Sequence, residues 1–215
     1  MMLLNGNVNM TIHEANSALS RFPTFGLGTI RLFDPRFAQQ SLSRWKSSGR
    51  IVMLAPGRYV FPGAVVDETD LYAVANSMYR PSYVSLESAL SSYGLIPETV
   101  RIITSVSTRK TRCIDSPVGT FQYRSIRPEF FFGYLPHGGT KHSFLMARPE
   151  KAVLDLLYLN PSYHRPDELR ELRIAPEVFT RLSRKRLDSY CRRFGQASLR
   201  ARLNALCEAM SDARA

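Results

Sequence analysis

The chain has 215 residues, a hydrophobic fraction of 44% and a formal net charge of +11, with a pI near 10.0. This composition excludes bulk disorder and predicts one small and one medium globular domain. Apolar runs are far shorter than the roughly 20 residues that a membrane-spanning helix requires, and the first residues lack the basic flank of a signal peptide. We therefore expect a cytoplasmic protein with no membrane partner.

The cysteines also limit the class of protein. Cys113, Cys191 and Cys207 are odd in number and widely spaced, without a Cys-x-x-Cys pair or a Cys/His cluster. This pattern argues against a disulfide framework and against a zinc site. We expect reduced cysteines with a packing role.

Basic residues are concentrated near the N-terminus, where the first helices are predicted. Residues 21–63 contain seven Lys or Arg residues against a single acidic residue, and a surface this basic attracts polyanions such as nucleic acid. Thr11 and Glu14 have the spacing of a capping box and predict a first helix of about ten residues that Pro23 stops. Residues 28–33 suit a brief second helix or a turn.

A third helix is predicted with Asp34 as its N-cap, Pro35 as its first residue and Gly49 as its C-terminal stop. Its apolar side consists of Phe37, Ala38, Ser41, Leu42 and Trp45. Its polar side consists of Arg36, Gln39, Gln40, Ser43, Lys46 and Ser47. Helical periodicity therefore leaves one side for packing and one side exposed. Trp45, the only tryptophan, is expected to anchor the small core.

Two strand-like runs follow, residues 50–54 and 58–61, joined by a turn-forming tripeptide. Helix, short helix, polar-sided helix and hairpin is the order of a winged helix-turn-helix. In such a module the third helix enters the major groove, and its N-terminal residues lie nearest the bases. We assign this module to residues 1–65 and expect it to bind double-stranded DNA.

Side-chain chemistry gives the predicted third helix its roles. Arg36 suits guanine, Gln39 and Gln40 suit adenine, and Ser43 suits either base. Phosphate is the better target for Arg44, Lys46 and Arg58. The candidate DNA-binding set is Arg36, Gln39, Gln40, Ser43, Arg44, Lys46, Arg50 and Arg58. The alternative is a solvated helix surface, which the scarcity of acidic residues and the adjacent hairpin disfavour.

Residues 66–215 are predicted to form a larger α+β domain with a central, mostly antiparallel sheet. After a short linker, Thr69 or Asp70 caps a helix, and Ser85 caps another helix that Gly94 ends. Strands are expected at residues 100–106, 111–114, 120–126 and 130–134. A further helix, apolar nearly all round, opens at residues 148–152, and about three helical segments form the C-terminus.

No stretch of this domain has the spacing of a known catalytic motif. The histidines are scattered, and neither a Gly-rich phosphate loop nor a nucleophile motif occurs. Residues 137–142 are expected to be a flexible hairpin loop. Glu150, Lys151 and Asp155 are expected to be structural, because a metal-dependent nuclease needs carboxylates that converge on the metal from neighbouring strands. We therefore expect no catalytic residue, no metal and no cofactor.

The predicted C-terminal helices contain a cluster of basic residues: Arg181, Arg184, Lys185, Arg186, Arg192 and Arg193. An extension of the DNA footprint is one interpretation of the cluster, and a solvated basic surface is the alternative. Both stay open at the level of sequence.

Four short sequence motifs, called phrases below, lie in the larger domain and point to a family. They are Ala75-Asn76, residues 81–90 (PSYVSLESAL), residues 93–98 (YGLIPE) and residues 149–158 (PEKAVLDLLY). In their order and spacing they resemble the antitoxin domain of the AbiEi family. The resemblance covers roughly the whole chain, because this family also has an N-terminal winged helix.

The resemblance implies a function. AbiEi-like proteins are antitoxins of bacterial toxin–antitoxin pairs that act in abortive phage infection and plasmid maintenance. Their winged helix binds inverted repeats in the promoter of their own operon, and the larger domain neutralises a nucleotidyltransferase-like toxin. We therefore expect a bacterial antitoxin and transcriptional autorepressor, monomeric or dimeric on DNA. The resemblance also offers a third interpretation of the basic C-terminal cluster, a contact with a toxin that handles nucleotides or RNA. The alternatives are a stand-alone winged-helix regulator without a toxin and, less favoured, a diverged metal-dependent nuclease.

Overall fold

The computed structural model describes residues 10–97, 101–138 and 141–212. The helices in these ranges are α1 (Ile12–Leu19), α2 (Leu27–Arg31), α3 (Gln39–Ser47), α4 (Glu68–Met78), α5 (Leu86–Ser92), α6 (Pro149–Leu159), α7 (Pro166–Glu171), α8 (Pro176–Phe179), α9 (Arg184–Phe194) and α10 (Ala197–Asp212). The strands are β1 (Val52–Ala55), β2 (Arg58–Val60), β3 (Ser82–Val84), β4 (Ile102–Ser107), β5 (Arg112–Ser116), β6 (Gly119–Ser125), β7 (Tyr134–Gly138) and β8 (Ser143–Ala147). A short 3-10 helix spans Pro128–Phe130.

The predicted α+β class with a helical C-terminus is confirmed, and the sheet is mixed. Among the described residues, six strands are arranged in the order β5-β6-β4-β3-β8-β7. The antiparallel neighbours are β5–β6, β3–β4 and β7–β8, whereas β4–β6 and β3–β8 are parallel. Each outer hairpin places its second strand beside the central pair β3–β4. The parallel contacts arise because that second strand runs in the direction of its central neighbour.

The N-terminal helices and the hairpin β1–β2 enclose a small core. Thr11 and Glu14 form the predicted capping box at the start of α1. Trp45 is 7% exposed, and its ring centroid lies 4.9 Å from that of Phe37. Gly49, with a φ of 69°, ends α3 in the left-handed conformation that favours glycine. The predicted roles of these residues are confirmed.

The predicted start of α3 is wrong. The helix begins at Gln39, so Asp34 is not its N-cap and Pro35 is not its first residue. The Asp34 carboxylate instead accepts hydrogen bonds from the backbone N–H groups of Met10 and Arg36, at 2.9 Å and 3.1 Å. An Asp-Pro pair suits a tight turn as well as a helix start, and here it forms the turn that precedes α3.

Several boundaries in the larger domain also differ from the predictions. The strand expected at residues 130–134 is wrong, because Phe130 ends the 3-10 helix and is buried, and β7 begins only at Tyr134. The central strand β3 and the strand β8 were not predicted. Asp67 caps α4 in place of Thr69 or Asp70, and residue 100 of the strand expected at 100–106 lies outside the described residues.

The C-terminal helices and the cysteines give two further corrections. In the described part of the chain, four helices follow residue 165, where about three segments were expected. All three cysteines are free, but only Cys191 is buried, whereas Cys113 is exposed on β5. The predicted packing role is therefore wrong for Cys113. Of the loop expected at residues 137–142, His137 and Gly138 belong to β7, while residues 139–140 lie outside the described residues.

Helix α6 contains a fully buried ion pair. The Lys151 ammonium donates hydrogen bonds to the Asp155 carboxylate and, over 2.9 Å, to the Tyr83 hydroxyl. Tyr83 and Ser85 each donate a hydrogen bond of 2.9 Å to the other Asp155 oxygen. Burial raises the pKa of Asp155 and lowers that of Lys151. Glu150 is buried as well and accepts hydrogen bonds from the backbone of Ser183 and from an arginine of α9.

The hairpin β1–β2 joins the two hydrophobic clusters of the molecule. Ile51, immediately before β1, belongs to the cluster formed by α1, α2 and α3, whereas Leu54 and Val60 of the hairpin belong to the larger cluster around the sheet. A buried hydrogen bond of 2.6 Å between the hydroxyls of Thr24 and Ser77 also links the N-terminal part to α4. None of the described helices has the length and apolar character needed to cross a membrane.

Candidate nucleic-acid interface

Helix α3 has one continuous polar side that faces solvent. Leu42 and Trp45 point into the small core, with 3% and 7% of their surface exposed. The exposed residues of the helix are Gln39, Gln40, Ser43, Arg44, Lys46 and Ser47. With 3.6 residues per turn, these positions fall on a single arc opposite the buried pair. The side that the sequence predicted to be free is therefore unobstructed.

The late start of α3 moves the candidate base-contacting residues to one end of the helix. Gln39 and Gln40 are its first two residues and follow Ala38, the N-cap. Arg36 lies in the preceding turn, and its side chain is exposed. The N-terminal residues of a recognition helix lie nearest the base edges. The side chains with hydrogen-bonding groups suited to bases are thus gathered where such a helix uses them.

The hairpin is held tightly against the helices. Phe25 and Tyr59 exchange backbone hydrogen bonds of 2.9 Å and 2.8 Å, so β2 also pairs with the segment that leads into α2. A Cβ atom on Gly26 would lie 2.4 Å from the carbonyl oxygen of Gly57 in the hairpin turn. Only glycine permits this approach. The position of the hairpin relative to α2 is therefore fixed by backbone contacts.

The two arginines that flank the hairpin have different surroundings. Arg58, the first residue of β2, is half-buried. Arg50 is exposed between α3 and β1 and borders a groove with His13 of α1 and with Phe61. Arg58 therefore belongs to the hairpin itself, whereas Arg50 extends the basic surface towards α1.

The positive charge of this surface is not balanced within the module. Between residues 10 and 66 the carboxylates are those of Glu14 and Asp34, and both accept hydrogen bonds from backbone N–H groups. The hydrogen bond from the Thr11 backbone keeps the pKa of Glu14 below its usual value. Among the described residues, no carboxylate lies within ion-pair distance of the Arg36, Arg44 or Lys46 side chains.

The sequence analysis missed a second group of exposed residues, at the end of α2. Leu32 is 75% exposed, and Phe33 beside it is 36% exposed. The Arg21 guanidinium lies 4.8 Å from the centre of the Phe33 ring, and Arg31 donates a hydrogen bond to the carbonyl of Phe37. The basic stretch at residues 21–63 could have indicated this group, but DNA contacts were predicted only for the third helix and the hairpin.

The basic cluster near α9 is partly used within the protein. Arg186 forms an ion pair of 2.9 Å with buried Glu150, and Arg184 contacts the sulfur of Cys207. The Arg193 guanidinium lies 3.8 Å from the centre of the Phe132 ring. The remaining members, Arg181, Lys185 and Arg192, have exposed side chains. The sixfold cluster of the sequence is therefore about half structural.

Comparison with models of known protein families gives no match, and comparison with curated protein sequences gives none either.

Proposed function

We propose that the N-terminal part of this chain, residues 1–65, is a winged helix-turn-helix that recognises double-stranded DNA. The observation that supports it best is the exposed polar side of α3, which has a basic surround and a hairpin fixed beside it. In this proposal Gln39 and Gln40 contact adenine and Arg36 contacts guanine. The phosphate contacts come from Arg44, Lys46, Arg50 and Arg58, and Ser43 contacts either type of base.

We further propose that the protein is an antitoxin and autorepressor of a bacterial toxin–antitoxin operon. Support comes from the four phrases that resemble the AbiEi antitoxin domain. Residues of these phrases lie in α4, α5 and α6, around the centre of the larger domain. Residues 66–215 would then neutralise a nucleotidyltransferase-like toxin, and the N-terminal module would bind inverted repeats in the promoter, as a monomer or a dimer.

The nuclease alternative has less support. Asp155 has no exposed surface, and its carboxylate is engaged by Lys151, Tyr83 and Ser85. Glu150 is 2% exposed and binds Ser183 and α9. Side chains held in this way stabilise the packing of α6 and are not presented to a phosphodiester. The described residues contain no group of three or more His, Cys, Asp or Glu arranged to hold a metal ion.

The DNA-binding proposal is tested by measuring the affinity of the full chain for the promoter of its own operon. We expect Gln40→Ala to weaken binding by about five- to 150-fold and to relax the preference for adenine at one position. Lys46→Ala should weaken all sequences alike and reduce the slope of log affinity against log salt by about 0.9. Arg127→Ala, at an exposed site that forms a long ion pair with Glu129, is the matched control.

Two results would contradict the proposal. One is an unchanged promoter affinity and sequence preference in the Gln40→Ala and Arg36→Ala variants, and the other is an equal effect of Arg127→Ala. Co-expression with the neighbouring gene product then separates an antitoxin from a stand-alone regulator. Growth rescue supports the antitoxin, whereas promoter binding without rescue supports the regulator.

A further inference from the structure

A groove lies where the parallel strands β3 and β8 diverge. The two strands pair at Val84 and Met146, but the Leu145 N–H donates its hydrogen bond to the side-chain oxygen of Asn76 in α4. The Asn76 amide therefore takes the place of a strand-to-strand contact. A groove of about 310 Å³ is formed here, with residues from α4, β3, β7 and β8 in its walls.

Two polar side chains that line this groove have an unsatisfied hydrogen-bonding atom. Among the described residues, neither Asn76 Nδ2 nor Ser82 Oγ has a hydrogen-bond partner, and Ser82 is only 3% exposed. Buried polar atoms are nearly always paired, so an unpaired one calls for an explanation. The unpaired atom of Asn76 is its amide nitrogen, which can only donate, whereas the Ser82 hydroxyl can donate or accept.

One wall of the groove is aromatic, formed by Phe131 and Tyr134. The ring centroids of Phe131 and Tyr134 lie 5.1 Å apart, and these rings pack on buried Tyr83 at 5.0 Å and 4.7 Å. Tyr83 is held in turn by the Lys151–Asp155 pair. This wall is therefore rigid and suits a flat ring.

The charge of the groove is positive. Arg80 is exposed and is the one charged side chain among the described residues that line it. A ligand with an anionic group is therefore favoured over a cation. The groove is also near the roughly 300 Å³ at which small-molecule sites begin.

We propose that this groove binds a mononucleotide. The base packs on Phe131 and Tyr134, its edge hydrogen bonds with Asn76 and Ser82, and its phosphate pairs with Arg80. Both unpaired atoms are covered by their neighbours, and rotation of the short Ser82 side chain is the smallest movement that exposes its hydroxyl. The site is separate from α3 and does not depend on the DNA-binding proposal.

The test is a calorimetric titration of the full chain with each of the four common ribonucleoside monophosphates, with the parent nucleosides and with benzoate. We expect saturable binding of at least one nucleotide. Arg80→Gln should weaken the binding of that nucleotide about tenfold and leave the binding of its nucleoside unchanged, because only the phosphate contact is lost. Asn76→Asp keeps the oxygen that accepts from the Leu145 N–H and removes the donor. It should weaken the binding of both nucleotide and nucleoside by about tenfold or more.

Arg192→Gln makes the same change of charge on α9 and is the control for unspecific attraction of phosphate. This variant should bind the nucleotide with the affinity of the parent chain. Ser82→Ala replaces Asn76→Asp as the test of the edge contacts if thermal unfolding shows that the latter is not folded. The proposal is overturned if no nucleotide binds at millimolar concentration, if Arg80→Gln and Ser82→Ala bind as the parent, or if benzoate binds as tightly as the nucleotides. Gln40→Ala should bind nucleotide normally, so failure here is distinct from failure in DNA binding.

Discussion

Lys151 and Asp155 show how one pair of residues can determine the packing of a helix. Lysine is almost never fully buried unless it is paired, and here both side chains have no exposed surface. The sequence predicted a structural role for them because a metal-dependent nuclease needs carboxylates that converge from neighbouring strands, whereas these residues were expected on one helix. Their burial beneath Tyr83 and Ser85 was not predictable, because those partners come from β3 and its end, about 70 residues earlier in the chain.

We predict that the two members of this pair are strongly coupled. Asp155→Leu alone should lower the free energy of unfolding by about 3–5 kcal/mol, since it leaves a buried ammonium without its counter-charge. Lys151→Met alone should have an effect of similar size. The double variant should lose much less unfolding free energy than the sum of the two single losses, because no unpaired buried charge remains. Urea denaturation of the four proteins measures the coupling, and additive losses would show that the pair does not act as a unit.

Lys185→Met is the control for the loss of a lysine. This residue is exposed on α9, and substitutions at such surface sites usually change the free energy of unfolding by no more than about 0.5 kcal/mol. An effect of Lys185→Met as large as that of Lys151→Met would mean that burial is not the cause.

Helix α3 shows which features of an element its sequence determines. The polar and apolar sides and the Gly49 stop were predicted correctly, because they depend on local periodicity and on one glycine. The start of the helix was predicted wrongly, because the Asp34 carboxylate can either cap a helix or stabilise a turn. Its contact with Met10, 24 residues away, decides between the two. The exposed side of α3 does not depend on where the helix starts, since a helix of either length exposes the same arc from Gln39 to Ser47.

The observed start of α3 gives a prediction whose sign is informative. Ala38 is the N-cap and makes no side-chain capping hydrogen bond, so Ala38→Ser should stabilise the protein by about 0.5–2 kcal/mol. If the helix began at Pro35, position 38 would be internal, and serine there would destabilise it by a few tenths of a kcal/mol. Urea denaturation of the full chain measures the difference. The matched control, Ala201→Ser in the interior of α10, should be slightly destabilising.

The strands show where local preference fails. Residues 130–134 are rich in aromatic residues, which favour strands, yet Phe130 packs 4.6 Å from Phe194 of α9. The observed strand β7 contains a proline, a histidine and a glycine and is a strand because it pairs with β8. The central strand β3 has only three residues. Short strands of this kind are determined by their neighbours in the sheet and leave little signal in the sequence.

At the scale of the whole molecule, the α+β class followed from the sequence, but the order of strands in the sheet did not. Hairpins are local and have turn signals, so β1–β2 and β5–β6 were predictable. The insertion of each outer hairpin beside β3–β4 depends on contacts between distant segments. For the same reason, the predicted boundary between residues 65 and 66 gave no hint that the hairpin also packs against the larger domain.

That shared hairpin predicts that the whole chain unfolds as one unit. Leu54 and Val60 are buried in the larger cluster and Ile51 in the smaller one, so neither cluster can open without exposing part of the other. Trp45 lies only in the smaller cluster, and its fluorescence therefore reports on that cluster alone, whereas far-ultraviolet circular dichroism reports on both. We expect the two probes to give the same urea midpoint, and Val60→Ala to lower both midpoints equally, with a loss of about 1–3 kcal/mol.

The control is Leu19→Ala in the smaller cluster, which should also shift both probes together. Two separate transitions, with the Trp45 signal changing first, would mean that the N-terminal module is an independent folding unit and that its contacts with the sheet and with Ser77 contribute little to stability.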